Sequence, residues 1–221
     1  MKNTHELEDD LRERWLKSYP DDERKAFCFD GLCYNGEIYN DGKNAHQGNE
    51  EKLWNNTDRR ILFLMKDTNN NSDSDYREWH WRNINHNFFN CIFKWLEGLS
   101  RISKDFIPTM ENGDYAAVPN AVVTKYPLAI VNIKKISGTS FVSNKTLYEY
   151  ANRDKAFLQE QIRGILHPNI IVCGGGKGTV LNIAKNIIYE DESFREINYF
   201  CHYSRKLNIL LIDSFHPSAR I

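Results

Sequence analysis

Four short, uninterrupted apolar runs constrain the fold more than any other feature of the sequence. They are Ile-Leu-Phe-Leu-Met at 61–65, Pro-Leu-Ala-Ile-Val-Asn-Ile at 127–133, Ile-Ile-Val-Cys at 170–173 and Ile-Leu-Leu-Ile at 209–212. Apolar runs that do not alternate with polar residues are typical of strands buried on both faces, as in a parallel sheet. The sequence therefore predicts four mostly parallel strands.

Helical patterns separate these runs. Apolar residues recur at helical spacing over 88–96, 147–166 and 180–188, and Leu7, Leu11 and Trp15 predict a further helix near the N-terminus. Strands that alternate with helices indicate a sheet covered by helices on both faces. We therefore expect an α/β fold with three layers, α/β/α, around a central four-stranded sheet. We expect one domain over 1–221, with an N-terminal helix and a loop-rich extension over 1–58.

Composition excludes several classes of protein. The 221 residues are 41% hydrophobic, which argues against disorder, and their formal net charge of -1 gives no global signal for nucleic acid. Five scattered cysteines favour a reducing compartment over a disulfide framework or a metal site. No apolar run approaches the roughly 20 residues that span a bilayer, and the charged N-terminus is unlike a signal peptide. We expect a cytoplasmic protein with no membrane association; its oligomeric state stays open.

Polar residues stand at the ends of all four predicted strands. Lys66 and Asp67 end the first, Asn132 lies near the end of the second, three glycines follow the third, and His216 follows the fourth. The carboxyl ends of parallel strands form the edge of the sheet where ligands bind. We therefore expect these side chains to share one pocket.

Each of these residues also has a simpler structural role. Asp67 and His216 suit turns, and Asn132, if buried, needs a hydrogen-bond partner that a neighbouring loop would supply. Gly-Gly-Gly-Lys-Gly-Thr at 174–179 lacks the spacing of a Walker A motif. Close packing of a helix against its strand is a sufficient reason for these glycines.

Together, the three polar types have a coherent chemical use. A carboxylate orients and deprotonates a water, and a histidine donates a hydrogen bond to a developing oxyanion. An asparagine amide offers one donor side and one acceptor side, which match O4 and N3–H of uracil or thymine but not cytosine. The combination suits cleavage of an N-glycosidic bond to a pyrimidine that leaves as its anion.

The sequence resembles the uracil-DNA glycosylase superfamily over about residues 60–220. Met65–Asn69 matches that family's water-activating motif and keeps its Asp, although the motif's Gly, Gln, Pro and Tyr are replaced. Asn132 matches the residue that reads uracil, Gly174 matches a Gly that ends a strand, and His216-Pro217-Ser218 matches the last motif. The four elements follow the family's order along the chain.

The resemblance implies a role for each matching residue. Asp67 would activate the water and His216 would stabilise the leaving base. The residues at the base would be Asn132, Lys66, Asn69, Trp79 and Trp81. The two tryptophans come from the loop after the first motif, and packing against a helix is their alternative role. We expect no iron–sulfur cluster and no other cofactor, because the cysteine spacing does not match the cluster-bearing members.

A DNA partner implies phosphate contacts as well. The residues expected to supply them, on a basic rim at the strand ends, are Lys134, Lys135, Gly174, Gly175, Lys177, Ser218 and Arg220. Members of the family follow His-Pro-Ser with a loop that wedges into duplex DNA, whereas this sequence ends at Ile221. We therefore expect single-stranded DNA rather than duplex as the substrate.

Three functions stay open from the sequence. The first is a glycosylase acting on a pyrimidine base, uracil or a related one, in DNA. The second is a catalytically inactive or repurposed member of the same fold that binds nucleic acid or a nucleotide. The third is an unrelated α/β enzyme acting on nucleotides or sugar phosphates.

Overall fold

The computed structural model describes residues 2–40, 44–68, 74–78, 87–109, 119–138 and 141–219. The helices are α1 (Thr4–Ser18), α2 (Asp21–Arg24), α3 (Glu50–Asn56), α4 (Asn87–Arg101), α5 (Pro119–Lys125), α6 (Asn144–Arg153), α7 (Lys155–Gln159) and α8 (Thr179–Ile183). Helix α7 continues as a π-helical segment over Glu160–Leu166, and α8 continues as another over Ala184–Ile188. The strands are β1 (Cys28–Phe29), β2 (Ile61–Asp67), β3 (Ser74–Asp75), β4 (Ala129–Lys134), β5 (Ile170–Gly174), β6 (Arg195–Asn198), β7 (Cys201–Ser204) and β8 (Ile209–Ser214).

The main sheet has six strands in the order β4–β2–β5–β8–β7–β6. Its first four members are parallel neighbours, and they are the four strands predicted from the apolar runs. The chain leaves β2 for β4 on one side of it and later returns to β5 on the other side. The predicted α/β class with parallel strands is confirmed, and the direction of winding changes between β2 and β5.

The predicted number of strands in the sheet is wrong. Strands β6 and β7 form an antiparallel hairpin, and β7 pairs with β8 to extend the sheet to six strands. Strand β6 is exposed along its whole length, and β7 carries the polar sequence Cys-His-Tyr-Ser. Ladder hydrogen bonds at an exposed edge do not need an apolar run, so the sequence pattern did not reveal them. A separate two-stranded parallel sheet, β1 with β3, was also not predicted.

The core lies on both faces of the main sheet. On one face, buried residues of α1, α6, α7 and α8 pack against alternate strand residues such as Leu62, Leu64 and Ile171. On the other face, α4 and α5 pack against the intervening residues such as Phe63, Met65 and Ile130. This alternation explains why the strands read as continuous apolar runs.

Helix α1 buries a different face from the one predicted. Leu11 and Trp15 are buried, but Leu7 is exposed, and the buried surface instead includes His5 and Glu8. The extension over 1–58 therefore brings charged groups into the interior. None of the described helices is both long enough and apolar enough to cross a membrane.

Candidate functional site

The change of winding between β2 and β5 marks the edge of the sheet where a ligand is expected. In doubly wound sheets, ligands bind beyond the carboxyl ends of the strands at such a switch point. Strand β2 ends here in Lys66 and Asp67, and β5 ends in Gly174. Strand β8, next to β5, ends in Ser214, and His216 follows two residues later.

Gly174 allows the end of β2 to approach the His216-Pro217 turn. A Cβ atom at Gly174 would lie 2.4 Å from Sδ of Met65 and 3.6 Å from Cδ of Pro217. The absent side chain thus leaves the space that these two residues fill. The structure brings the first and last motifs of the sequence together at this glycine.

The next glycine has a packing role too. A Cβ atom at Gly175 would lie 2.3 Å from Cγ2 of Val180 on α8 and 3.3 Å from Cε of Lys66. The loop that follows has left-handed backbone at Gly176, Lys177 and Gly178, with φ values of 67°, 53° and 71°. Close packing of α8 therefore accounts for Gly175, and the phosphate role of Gly174, Gly175 and Lys177 stays a prediction.

Asp67 is a largely buried carboxylate at the end of β2. Burial raises its pKa, and the charges of Lys134 and Lys66 oppose that shift. Lys134 Nζ lies 3.8 Å from Oδ2 of Asp67, which is too long for a hydrogen bond, and Oδ2 accepts none from the described residues. Since buried polar atoms are nearly always hydrogen-bonded, this oxygen is a candidate for contact with a ligand or a water.

Two hydroxyl groups near Asp67 are also buried and unpaired among the described residues. They are Oγ1 of Thr68 and Oγ of Ser137, and the N–H of Gly138 donates to the Thr68 carbonyl at 3.3 Å. A Cβ atom at Gly138 would lie 3.2 Å from Oδ2 of Asp67. Thr68, Ser137 and Gly138 could not be selected from the sequence, because hydroxyls and glycines are common in loops.

His216 is half-buried and is held as a neutral imidazole. Burial lowers its pKa, and the charge of Lys66 lowers it further. Its Nδ1 accepts the backbone N–H of Ser218 at 3.2 Å, so its hydrogen resides on Nε2. The Phe88 ring lies 5.4 Å from the imidazole, measured between centroids. His216 therefore offers an Nε2–H donor, and Ser218 helps to set the tautomer.

Asn132 lies on the same face of the sheet as Asp67. Asp67 pairs with Lys134 across β2 and β4, and Asn132 pairs with Met65, so Asn132 and Asp67 are diagonal neighbours with Cα atoms roughly 8 Å apart. The buried Asn132 amide donates from Nδ2 to Asp30 at 2.9 Å. Asn132 thus has the hydrogen-bond partner in a neighbouring loop that its structural role predicts. Its Oδ1 accepts no hydrogen bond from the described residues.

The basic rim expected at the strand ends requires correction. Lys135 has no exposed surface, and its Nζ pairs with Asp30 and lies 4.8 Å from the centre of the Trp15 ring. Lys134 is also buried, and its Nζ donates to the Ile136 carbonyl. Lys135 faces the interior because Asp30 from the N-terminal region reaches it, and Nζ of Lys134 lies near Asp67 and the Tyr150 ring, so neither lysine contributes to a surface patch. Lys177 is exposed.

Four of the predicted site residues lie outside the described residues. They are Asn69, Trp79, Trp81 and Arg220. Their assignment to base or phosphate contacts stays a prediction.

Asp30 is a further residue near the site that the sequence did not indicate. It follows β1, is buried, and accepts from Lys135 and from both the backbone and side-chain nitrogens of Asn132. Burial raises its pKa, and Lys135 opposes that shift. Asp30 and Asn132 are 102 residues apart, so only the folded chain reveals the contact.

Comparisons with known proteins give no family for this chain. No protein-family model matches it, and a sequence search of curated proteins found no match. Its function must therefore be argued from the geometry of the site.

Proposed function

We propose that this protein is a DNA N-glycosylase of the uracil-DNA glycosylase kind, which hydrolyses the N-glycosidic bond of uracil or a related pyrimidine. The observation that carries the proposal is the placement of Asp67 and His216 at the same edge of the sheet, where the charge of Lys66 acts on both. One is a carboxylate with an oxygen that accepts no hydrogen bond from the described residues, and the other is a histidine whose Nδ1 accepts a backbone N–H, which leaves the ring hydrogen on Nε2. The residues match those that the sequence resemblance selects.

The two groups suit the two halves of the reaction. The bond between C1′ of the sugar and N1 of the base breaks with its electron pair on N1, and the anion is shared with O2 of the base. Nε2–H of His216 donates to that oxygen and stabilises the charge. The ionised carboxylate of Asp67 orients a water, whose oxygen bonds to C1′ and whose proton passes to the carboxylate.

Lys66 favours the protonation states that the proposed reaction needs in Asp67 and in His216. Its charge favours the ionised form of Asp67 and the neutral form of His216, since it lowers both pKa values. A cation beside the pocket also attracts the anion that leaves. Lys66 therefore acts on the charge balance of the reaction, in addition to the base contact predicted from the sequence.

A binding role without catalysis is the second candidate. The observation that favours it is the contact of Asn132 with Asp30, which uses one of the two hydrogens on Nδ2. A repurposed pocket for a nucleotide or for nucleic acid would retain Asp67 and His216 without turning over the substrate.

A cleavage assay with matched variants separates the two candidates. Uracil-containing oligonucleotides, single-stranded and duplex, are incubated with the protein and then treated with alkali, which breaks the strand at abasic sites. We expect cleavage by the wild type, a loss of about 10²–10⁴-fold in Asp67→Asn, and a loss of about 10²–10³-fold in His216→Ala. Oligonucleotide binding without cleavage by the wild type would favour the second candidate.

Two variants serve as controls for these substitutions. Asp191→Asn removes an exposed carboxylate that pairs with Arg163, and His167→Asn removes an exposed histidine just before β5, at the opposite edge of the sheet. Both are expected to retain wild-type cleavage. Equal losses in the controls and in the site variants would contradict the assignment.

A further inference from the structure

Asp30 and Asn132 form a buried contact whose chemistry bears on base selectivity. One carboxylate oxygen of Asp30, Oδ2, accepts the backbone N–H of Asn132 at 3.0 Å and its Nδ2–H at 2.9 Å. The other oxygen pairs with the fully buried Nζ of Lys135. The described residues place three donors around this carboxylate, which therefore serves as their acceptor.

The surrounding residues fix the position of that carboxylate. Nε2 of Gln161 donates to the backbone carbonyl of Asp30, and the Gln161 side chain also contacts Lys135 and Glu8. Gln161 and Glu8 are fully buried, and they come from the π-helical segment after α7 and from α1. Asp30 is thus held by residues of α1 and of the π-helical segment after α7.

An asparagine amide can present either end to a neighbour, and Asp30 removes that freedom. A flipped amide would place Oδ1 of Asn132 against the Asp30 carboxylate, where two acceptors repel each other. Nδ2 must therefore face Asp30, which leaves Oδ1 and the second Nδ2 hydrogen for a ligand. Oδ1 as acceptor and the Nδ2 hydrogen as donor therefore face a ligand in one arrangement only.

We infer that Asp30 is a positioning residue that fixes the polarity of the Asn132 amide and thereby makes the pocket select uracil or thymine over cytosine. In the fixed orientation, Oδ1 accepts from N3–H and Nδ2 donates to O4. A flipped amide would instead donate to N3 of cytosine and accept from its exocyclic amine. An amide without Asp30 reads both bases, so selectivity depends on the contact as well as on Asn132 itself.

This inference rests on the proposed function, because it takes the ligand to be a pyrimidine. Base selectivity is therefore measured in two ways, as the ratio of cleavage rates on uracil and cytosine oligonucleotides and as the ratio of affinities for free uracil and free cytosine. Absence of cleavage with a preserved uracil preference in binding contradicts the proposed function alone. Absence of any uracil preference in the wild type contradicts the inference.

The test variant is the double substitution Asp30→Asn with Lys135→Gln, which removes the buried charges together and so avoids leaving one unpaired. We expect a wild-type preference for uracil of at least about 100-fold, which falls to about tenfold or less in the double variant. Loss of stability alone would lower both rates and leave their ratio unchanged. A folded double variant that keeps the wild-type ratio would overturn the inference.

Glu8→Gln is the matched control. It changes another buried carboxylate of the same network to an amide, and Glu8 contacts Gln161 but not Asn132. The control is expected to keep the wild-type ratio of uracil to cytosine. A ratio that falls equally in Glu8→Gln would assign the effect to the network as a whole and overturn the specific role of Asp30.

Discussion

At the scale of single residues, Lys66 links the two groups proposed to carry the chemistry. It lies at the end of β2 beside Asp67, and its charge also acts on His216 across the end of β5. Burial raises the pKa of Asp67 above its usual 3.8 and lowers that of His216 below its usual 6.5. The activity needs ionised Asp67 and neutral His216, so it should rise with pH through both ionisations.

Replacement of Lys66 tests this link through the pH dependence. Lys66 lowers both pKa values, so Lys66→Met should raise both and move the acidic limb of the pH–rate profile to higher pH. The measurement is the cleavage rate on a uracil oligonucleotide from acidic to neutral pH. Lys177→Met, which removes an exposed cation on the loop after β5, should leave the limb in place. A limb that stays fixed in Lys66→Met would rule out this role.

At the scale of secondary-structure elements, the glycines after β5 set how closely α8 and β2 approach the site. Gly175 leaves no room for a Cβ atom beside the stiff, branched Val180. The contact lies between the loop after β5 and the first turn of α8, and Lys66 packs against the same glycine. The position of Lys66 therefore depends on a helix–strand contact.

Gly175→Ala should lower the free energy of unfolding by about 1–3 kcal/mol, because overpacking forces Val180 to shift. The cost should shrink when Val180→Ala is already present, since the clashing methyl groups are then absent. Chemical denaturation of the four proteins in this cycle provides the measurement. Gly164→Ala is the control, as the nearest atom to its added Cβ is Glu160 Cγ at 3.8 Å, and it should be neutral or slightly stabilising. Additive costs for Gly175 and Val180 would disprove the packing role.

The elements also show how far the sequence could predict the fold. Strands β2, β4, β5 and β8 were predictable because burial on both faces demands unbroken apolar runs. The hairpin of β6 and β7 was not, because an exposed edge is stabilised by ladder hydrogen bonds that any polar sequence can make. Helix α1 was predicted, but its buried face was not, because Glu8 and His5 are buried against charged partners that lie far away in the sequence.

The residues of the candidate site likewise divide into those that the sequence could indicate and those that only the folded chain reveals. The placement of Asp67 and His216 at one edge of the sheet was predictable, because Asp67 ends β2, His216 lies two residues after β8, and both strands belong to the parallel part of the sheet. Asp30 was not, since its importance comes from contacts with Asn132 and Lys135 more than 100 residues away. For the same reason, Lys134 and Lys135 looked like surface cations although both are buried.

At the scale of the whole molecule, a buried network of charges joins the N-terminal helix to the sheet. Glu8 is fully buried; Arg77, His5 and Gln161 lie against it, and Leu32 donates its backbone N–H. His5 in turn bonds Glu50 of α3, and Arg77 pairs with Asp75 and Asp9. Burial raises the pKa of Glu8 from 4.5 to about 7, although Arg77 and His5 oppose that shift.

The raised pKa of Glu8 predicts a pH-dependent stability. The folded state binds a proton that the unfolded state releases above pH 4.5, so this contribution is fully present below pH 4.5 and is lost as pH rises through about 7. Between pH 4.5 and 8, the free energy of unfolding should fall by about 3 kcal/mol more in the wild type than in Glu8→Gln. Denaturation across this range measures the difference. Parallel curves for the two proteins would show that Glu8 does not titrate in this range.

The most direct test of the central claim, that Asp67 and His216 act on one pyrimidine, is the release of free uracil from a uracil-containing single-stranded oligonucleotide, measured by mass spectrometry. We expect the wild type to release uracil and to leave an abasic strand of matching mass. Release should fall by at least about 100-fold in Asp67→Asn and in His216→Ala, with both variants folded. Absence of free uracil with the wild type, or release at the wild-type rate by either folded variant, would contradict the claim.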